Sequence, residues 1–147
     1  MSDILSFTVG KFTFTVPTDR LYHRDGLWLR EQDERLIIGV TDYFQQESGD
    51  VAFAETAAAG TTIAAGDRLA NIETIKVDNE VASPISGAVV AVNDKLQFEA
   101  EVINQDCYGD GWLVALEPTN WAAEREMLLS PMAYLEYSRA QGQEAGQ

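Results

Sequence analysis

The sequence is poor in the residue types that build metal centres and nucleophilic sites. Among its 147 residues, Cys107 is the only cysteine and His23 is the only histidine. A single cysteine cannot form an intrachain disulfide, and the two residues together cannot supply a Cys/His zinc cluster. A Ser-His-Asp or Cys-His hydrolase site would have to use His23. We therefore expect no catalytic residue and no metal site, and a reducing compartment suits the chain.

Basic residues are also scarce. Ten lysines and arginines stand against 24 aspartates and glutamates, which leaves a formal net charge of −14. A field of this sign repels phosphate backbones and anionic lipids, so we expect neither nucleic acid nor a membrane as partner. The same negative field favours docking to basic surfaces on other proteins. No apolar run approaches membrane-spanning length and no basic segment precedes the first apolar residues, so a monomeric, cytoplasmic protein is predicted.

Short apolar runs separated by glycine, proline and asparagine predict a mainly β fold, a barrel or sandwich. The residues of FTVGKFTFTV (Phe7 to Val16) alternate around Gly10-Lys11, which predicts an N-terminal hairpin with a two-residue loop. AAGTTIAAGD (Ala58 to Asp67) is echoed by ISGAVVAVND (Ile85 to Asp94), which we interpret as two related half-barrels.

Other elements have weaker local signals. Tyr22 to Arg30 and Arg35 to Val40 predict paired strands around the charged turn 31–34. Thr41 or Asp42 can cap a short helix through Gln46, with Gly49 near its stop. Further helices are expected after Thr119-Asn120 and from Ser130-Pro131 to about Arg139. The predicted organisation is an N-terminal hairpin extension over 1–20, a main domain over 21–140 and a flexible tail over 141–147.

One of only three lysines lies in a distinctive stretch, IETIKVDNEVASPISG (Ile72 to Gly87). Asn71 to Ile75 and Val81 to Ile85 can form antiparallel arms, so that Lys76 to Glu80 lie at or near the turn. An exposed lysine there could be reached by a modifying enzyme. The flanking acids Glu73, Asp78 and Glu80 offer charge that a basic active site could recognise.

At these residues the sequence resembles the glycine cleavage H protein family. ETIKVDNEVASPISGAVVAVND is similar to the family's lipoyl-lysine segment, in which the modified lysine precedes a Ser-Pro-aliphatic-Ser/Thr-Gly turn, here Ser83, Pro84 and Gly87. GVTDYFQQESGDVAFAE (Gly39 to Glu55) and VINQDCYGDGWL (Val102 to Leu113) resemble neighbouring segments of the same family.

The resemblance implies a flattened β-barrel of the biotinyl/lipoyl type with short helices and a C-terminal helical cap. It implies lipoate joined as an amide to Lys76 by a lipoate ligase or lipoyl transferase, with no active site in the carrier itself. The implied partners are a pyridoxal-phosphate glycine decarboxylase, an aminomethyltransferase and a dihydrolipoamide dehydrogenase, between which the arm carries an aminomethyl group.

Three alternatives stay open from the sequence. Biotin is the nearest other cofactor, but Ile75 and Val77 stand where biotinyl carriers usually have methionine. Gly26-Leu27 replaces the family's usual His-Glu before Trp28, and this departure is compatible with an H-like lipoate-binding protein that carries sulfur for a heterodisulfide-reductase-like complex. The third alternative is an unmodified interaction module that keeps the fold alone.

Overall fold

The structure is a computed structural model that describes residues 3–145. Its strands are β1 Ile4–Val9, β2 Phe12–Pro17, β3 Leu21–His23, β4 Leu27–Gln32, β5 Arg35–Val40, β6 Val51–Thr56, β7 Thr62–Ile63, β8 Arg68–Thr74, β9 Asp78–Ala82, β10 Gly87–Val92 and β11 Val114–Pro118. Its helices are α1 Asp42–Ser48, α2 Val102–Gln105, α3 Trp121–Glu124 and α4 Pro131–Ala145, with 3-10 turns at Asp94–Gln97 and Arg125–Met127.

The strands form three sheets. β1 and β2 make a hairpin, the order β3-β4-β5-β11-β10-β7 makes a six-stranded sheet, and β6-β8-β9 makes a three-stranded sheet. The mainly β class with a C-terminal helix is therefore confirmed, although across residues 3–145 the sheets stay open and do not close into one continuous barrel.

Two apolar clusters hold these layers together. The larger lies between the six-stranded and three-stranded sheets and includes Leu29, Ile38, Leu69, Ile72, Ile85 and Leu116. The smaller joins the N-terminal hairpin to α4 and includes Phe7, Phe14, Tyr22, Trp28 and Tyr134. Most strands supply alternate side chains to these clusters, as the period-2 pattern of a strand requires. β8 is an exception: its register shifts between Arg68 and Ala70, and both Leu69 and Ala70 enter the larger cluster.

The N-terminal hairpin has the predicted two-residue loop. Val9 pairs with Phe12, which leaves Gly10 and Lys11 between the strands, and Gly10 has a φ of +62°. A positive φ at the first loop residue suits glycine. The division of the chain into an extension, a main domain and a tail stays a prediction, and residues 1, 2, 146 and 147 lie outside the described part.

Several predicted boundaries were wrong. Tyr22 to Arg30 forms two strands, because a tight turn with Gly26 at φ +94° separates β3 from β4. The charged turn is shorter than 31–34, since β4 continues to Gln32 and pairs there with Arg35. The echoing segments adopt different structures: the first supplies the two-residue β7 and the second the six-residue β10, and these strands pair with each other.

The helix predictions differ mainly in length. Thr41 caps α1 by accepting a hydrogen bond from the Phe44 amide at 3.2 Å, and Gly49 follows its end. The helix after Asn120 has one α turn and then tightens to 3-10 geometry, without a side-chain cap. α4 runs to Ala145 and so passes the predicted end near Arg139. No helix within residues 3–145 is long and apolar enough to cross a membrane.

Candidate functional site

Lys76 lies in the three-residue connection, Ile75 to Val77, between β8 and β9. Thr74, which is 7% exposed, organises this tip. Its Oγ1 accepts hydrogen bonds from the Lys76 amide at 3.2 Å and the Val77 amide at 3.0 Å, and the Thr74 amide donates to the Val77 carbonyl at 2.8 Å. A threonine hydroxyl bonded to the following amides replaces water in the turn and fixes the backbone below Lys76.

The C-terminal end of α1 and the two residues that follow it, Gly49 and Asp50, support the tip. The Ile75 amide donates to the Asp50 carbonyl at 3.2 Å, and Asn79 Nδ2 donates to Ser48 Oγ at 3.1 Å. Gly49 lies between these contacts at φ +90°, and a Cβ added there would meet Lys76 Cε at 3.5 Å. The methylene stem of Lys76 therefore starts from a firmly held backbone and lies across the end of α1.

The ammonium group of Lys76 is available for chemistry. Within residues 3–145, Lys76 Nζ has neither a hydrogen bond nor an ion pair, whereas Lys95 Nζ lies 3.4 Å from Asp110 Oδ2. The apolar neighbours Ile75 and Val77 are 76% and 44% exposed. Exposed aliphatic side chains on both sides of a free lysine form a surface that a modifying enzyme can cover.

The three predicted acids lie on one face of the β6-β8-β9 sheet. Glu73 pairs directly with Asp78, and Glu80 pairs with Asn71 on the same face, because residues in register point the same way. All three acids are exposed. Asp78 and Glu80, predicted at or near the turn, belong to β9, with Asp78 directly after the turn and Glu80 two residues further along the strand. Asp78 Oδ1 also accepts a hydrogen bond from Asn71 Nδ2 at 2.8 Å.

The Ser83-Pro84 turn and Gly87 do not belong to the lysine tip. They follow β9 at its other end and lead into β10. The amide of Ser83 donates to the Asp67 carbonyl at 2.7 Å, and its Oγ donates to the Ile85 carbonyl at 2.6 Å. A Cβ on Gly87 would lie 2.5 Å from the Glu117 carbonyl oxygen. This segment holds the sheets together, and its fixed spacing from Lys76 reflects the length of β9.

The two residues considered for nucleophilic or proton chemistry lie in unsuitable settings. Cys107 is buried, which raises the pKa of its thiol above the ordinary value of 9.0, so the thiol stays protonated at neutral pH. Burial lowers the pKa of His23 from its ordinary 6.5, and His23 Nδ1 accepts a hydrogen bond from the Asp25 amide at 3.0 Å. Neither side chain contacts the tip.

A cleft of about 250 Å³ lies beside α1, and no sequence pattern indicated it. Its lining comes from four separate parts of the chain: the β3–β4 turn, α1, β9 and α4. Ser48 and Asn79, which support the lysine tip, belong to the lining together with Phe44, Tyr134 and Tyr137. The packing of distant elements creates this cleft, so sequence spacing alone could not reveal it.

Comparisons with a family model and with individual known proteins all match the same family. The model of the family described as glycine cleavage H-protein matches residues 20–141. A probable glycine cleavage system H protein of Haloarcula marismortui is 40% identical over 122 residues, which cover 83% of this chain and 95% of that protein. The glycine cleavage system H protein of Psychrobacter sp. is 39% identical over 120 residues, which cover 81% and 94%.

A solved structure is similar over nearly the same region. The crystal structure of a glycine cleavage system H protein from Mycobacterium marinum matches with a TM-score of 0.74 at 28% sequence identity. The match covers 86% of this chain and 99% of that one.

Proposed function

The chain belongs to the glycine cleavage H-protein family, and from that premise we propose that it is a lipoyl carrier whose lipoate is attached to Lys76. In this proposal the chain shuttles an aminomethyl group between enzymes of the glycine cleavage system and has no active site of its own. The observation that carries the proposal is the exposed, unpaired Lys76 on a backbone held by Thr74 and α1.

The residues of the tip fit an amide-linked lipoate. Amide formation needs an amine that an acyl-transferring enzyme can enclose and deprotonate, and Lys76 Nζ meets no competing acid within the described residues. When bound, lipoate supplies a dithiolane that is reduced as it accepts a carbon group and is reoxidised afterwards. The fixed backbone of Thr74 to Val77 gives the arm a rigid base.

Glu73, Asp78 and Glu80 are proposed to guide the lipoate ligase or lipoyl transferase. Glu73 and Asp78 are like charges directly opposite each other on neighbouring strands, an arrangement that is destabilising. A basic surface on an enzyme that docks over Lys76 would relieve this repulsion. The same acidic face suits docking of the glycine decarboxylase, the aminomethyltransferase and the dihydrolipoamide dehydrogenase.

The cleft beside α1 adds a second element to the proposal. Because Ser48 and Asn79 both support the tip and line the cleft, a group attached at Lys76 starts next to its mouth. The aromatic residues Phe44, Tyr134 and Tyr137 offer it apolar cover from water. The family names of the relatives favour glycine cleavage over sulfur transfer, and no feature of the described residues favours the sulfur alternative.

The experiment is lipoylation of the full chain in vitro, followed by reconstitution. Purified apo-protein, a lipoate ligase, lipoate and ATP should give one lipoyl adduct at Lys76, and the Lys76→Arg variant should give none while keeping its unfolding temperature. The loaded chain should then support glycine decarboxylation with the three partner enzymes. Lipoylation without activity in that mixture would contradict the partner set, and no lipoylation of the folded chain would contradict the carrier function.

A further inference from the structure

The N-terminal hairpin lies outside the residues that match the family, yet it packs on the element that supports Lys76. The family match begins at residue 20, after β1 and β2. The inner face of the hairpin places Phe14 and Phe7 against Tyr43 of α1, with ring centroids 5.1 Å and 6.1 Å apart. The hairpin therefore extends the core onto α1.

The free edge of β2 is bonded to side chains of α1. The Thr15 amide and Thr15 Oγ1 both donate to Asp42 Oδ2, at 3.0 Å and 3.3 Å, and Gln46 Nε2 donates to the Thr13 carbonyl at 3.1 Å. In this hairpin register the amide and carbonyl of Thr15 point away from β1, so these bonds do not compete with the β1–β2 ladder. Side chains of α1 thus cover an edge that would otherwise be open.

The last residue of the same helix, Ser48, and Asp50, which lies two residues beyond its end, hold the lysine tip. Ser48 Oγ and the Asp50 carbonyl accept the hydrogen bonds from Asn79 and Ile75 described above. α1 has only seven residues, and helices this short are not stable alone, so its order depends on what packs against each end. A change at the first turn of α1 is therefore transmitted to its last turn as loss of order.

We propose that the β1–β2 hairpin is a positioning element for Lys76: it fixes the start of α1 through Thr15 and Asp42, and the end of α1 then fixes the tip that an acyl-transferring enzyme must grip. The functional consequence rests on the carrier function proposed above. The structural consequence is a tip that opens more often when the hairpin contact is lost, and it is independent of the carrier function.

The test uses the full chain with Thr15→Pro, which removes the amide and hydroxyl donors to Asp42 while leaving Asp42, the caps of α1 and the β1–β2 ladder in place. Hydrogen exchange at the Ile75 amide, followed by NMR, should become about tenfold faster, as expected for loss of roughly one net hydrogen bond of support. Thr15→Ser keeps both donors and should exchange like the wild type.

A second pair of variants separates positioning from general loss of stability. Asp42→Ala should also accelerate exchange at Ile75. Asn93→Ala removes the 2.7 Å bonds from Asn93 Nδ2 to the Asp110 and Trp112 carbonyls, away from α1, and should leave the tip unchanged. Unchanged exchange at Ile75 in Thr15→Pro would overturn the proposal, even if the proline detaches the whole hairpin. Acceleration in Asn93→Ala equal to that in Thr15→Pro would overturn it as well.

Lipoyl transfer provides the functional measurement. The kcat/KM of a lipoate ligase should fall severalfold for Thr15→Pro and stay at the wild-type value for Thr15→Ser. Faster exchange with unchanged lipoylation kinetics would contradict the functional part. Failure of the wild-type chain to be lipoylated would refute the carrier function, while the exchange rates would still decide the role of the hairpin.

Discussion

Replacing Thr74 with valine should loosen the tip that carries Lys76. Valine has nearly the shape of threonine, so the change removes the hydroxyl and leaves little cavity at a side chain that is 7% exposed. The hydroxyl accepts from the Lys76 and Val77 amides and donates to the Val77 carbonyl at 3.2 Å. Because the tip is exposed, the released amides can still bond to water.

The expected loss follows from those bonds. A typical bond contributes about 0.5–1.5 kcal/mol net, and three bonds that share one oxygen at an exposed turn should contribute about 2 kcal/mol in total. For a chain of this size that loss lowers the unfolding temperature by about 4–8 °C. Thermal unfolding and urea titration measure the loss, and NMR exchange at the Val77 amide localises it to the tip.

Thr74→Ser is the matched control, since it keeps the oxygen and loses only a methyl group. Exchange at the Val77 amide should accelerate in Thr74→Val and stay near wild type in Thr74→Ser, whatever the effect of the methyl group on the unfolding temperature. Wild-type stability and wild-type exchange in Thr74→Val would refute the reasoning that this hydroxyl organises the tip.

Two further predictions concern charge and pH. Glu73→Gln removes the like-charge pair with Asp78, so it should not destabilise the fold, yet it should lower the kcat/KM of the lipoate ligase. Glu99→Gln makes the same charge change in an exposed loop and should leave that kcat/KM unchanged. Equal kinetics in the two variants would contradict the guiding role. Burial raises the pKa of Tyr22, Tyr108 and Tyr134 above the ordinary 10.0. Above about pH 10 the unfolded chain therefore binds fewer protons than the folded chain, so the free energy of unfolding is at its full value below about pH 10 and falls as pH rises further. The free energy of unfolding should fall by up to about 4 kcal/mol per pH unit there, about 1.4 for each tyrosine, and a flat profile in urea titrations from pH 9 to 11.5 would contradict it.

Local chemistry made part of this structure predictable. The two-residue loop at Gly10-Lys11 and the cap at Thr41 depend on residues adjacent in sequence, and both are present. The exposed position of Lys76 followed from its place between two predicted antiparallel arms. The first arm ends one residue earlier than predicted and the second begins three residues earlier, because the hydroxyl of Thr74 closes the turn sooner than the sequence pattern indicated.

Tertiary contacts explain what the sequence could not predict. α4 continues through Gly142 because that glycine is buried against the hairpin, where an added Cβ would lie 3.1 Å from Val9 Cγ2 and 3.5 Å from Tyr43 Cε1. Local propensity alone treats a glycine in a polar tail as a sign of fraying. The support of the lysine tip likewise depends on Ser48 at the end of α1 and on Asp50 just after it, which lie more than twenty residues before Lys76.

The most direct test of the proposed function is intact-protein and peptide mass spectrometry on the full chain from its native cells. The carrier function predicts a lipoyl adduct on Lys76 and none on Lys11 or Lys95. An unmodified Lys76 in cells that lipoylate their other carriers would contradict it and leave an interaction module, and biotin at Lys76 would contradict the choice of cofactor.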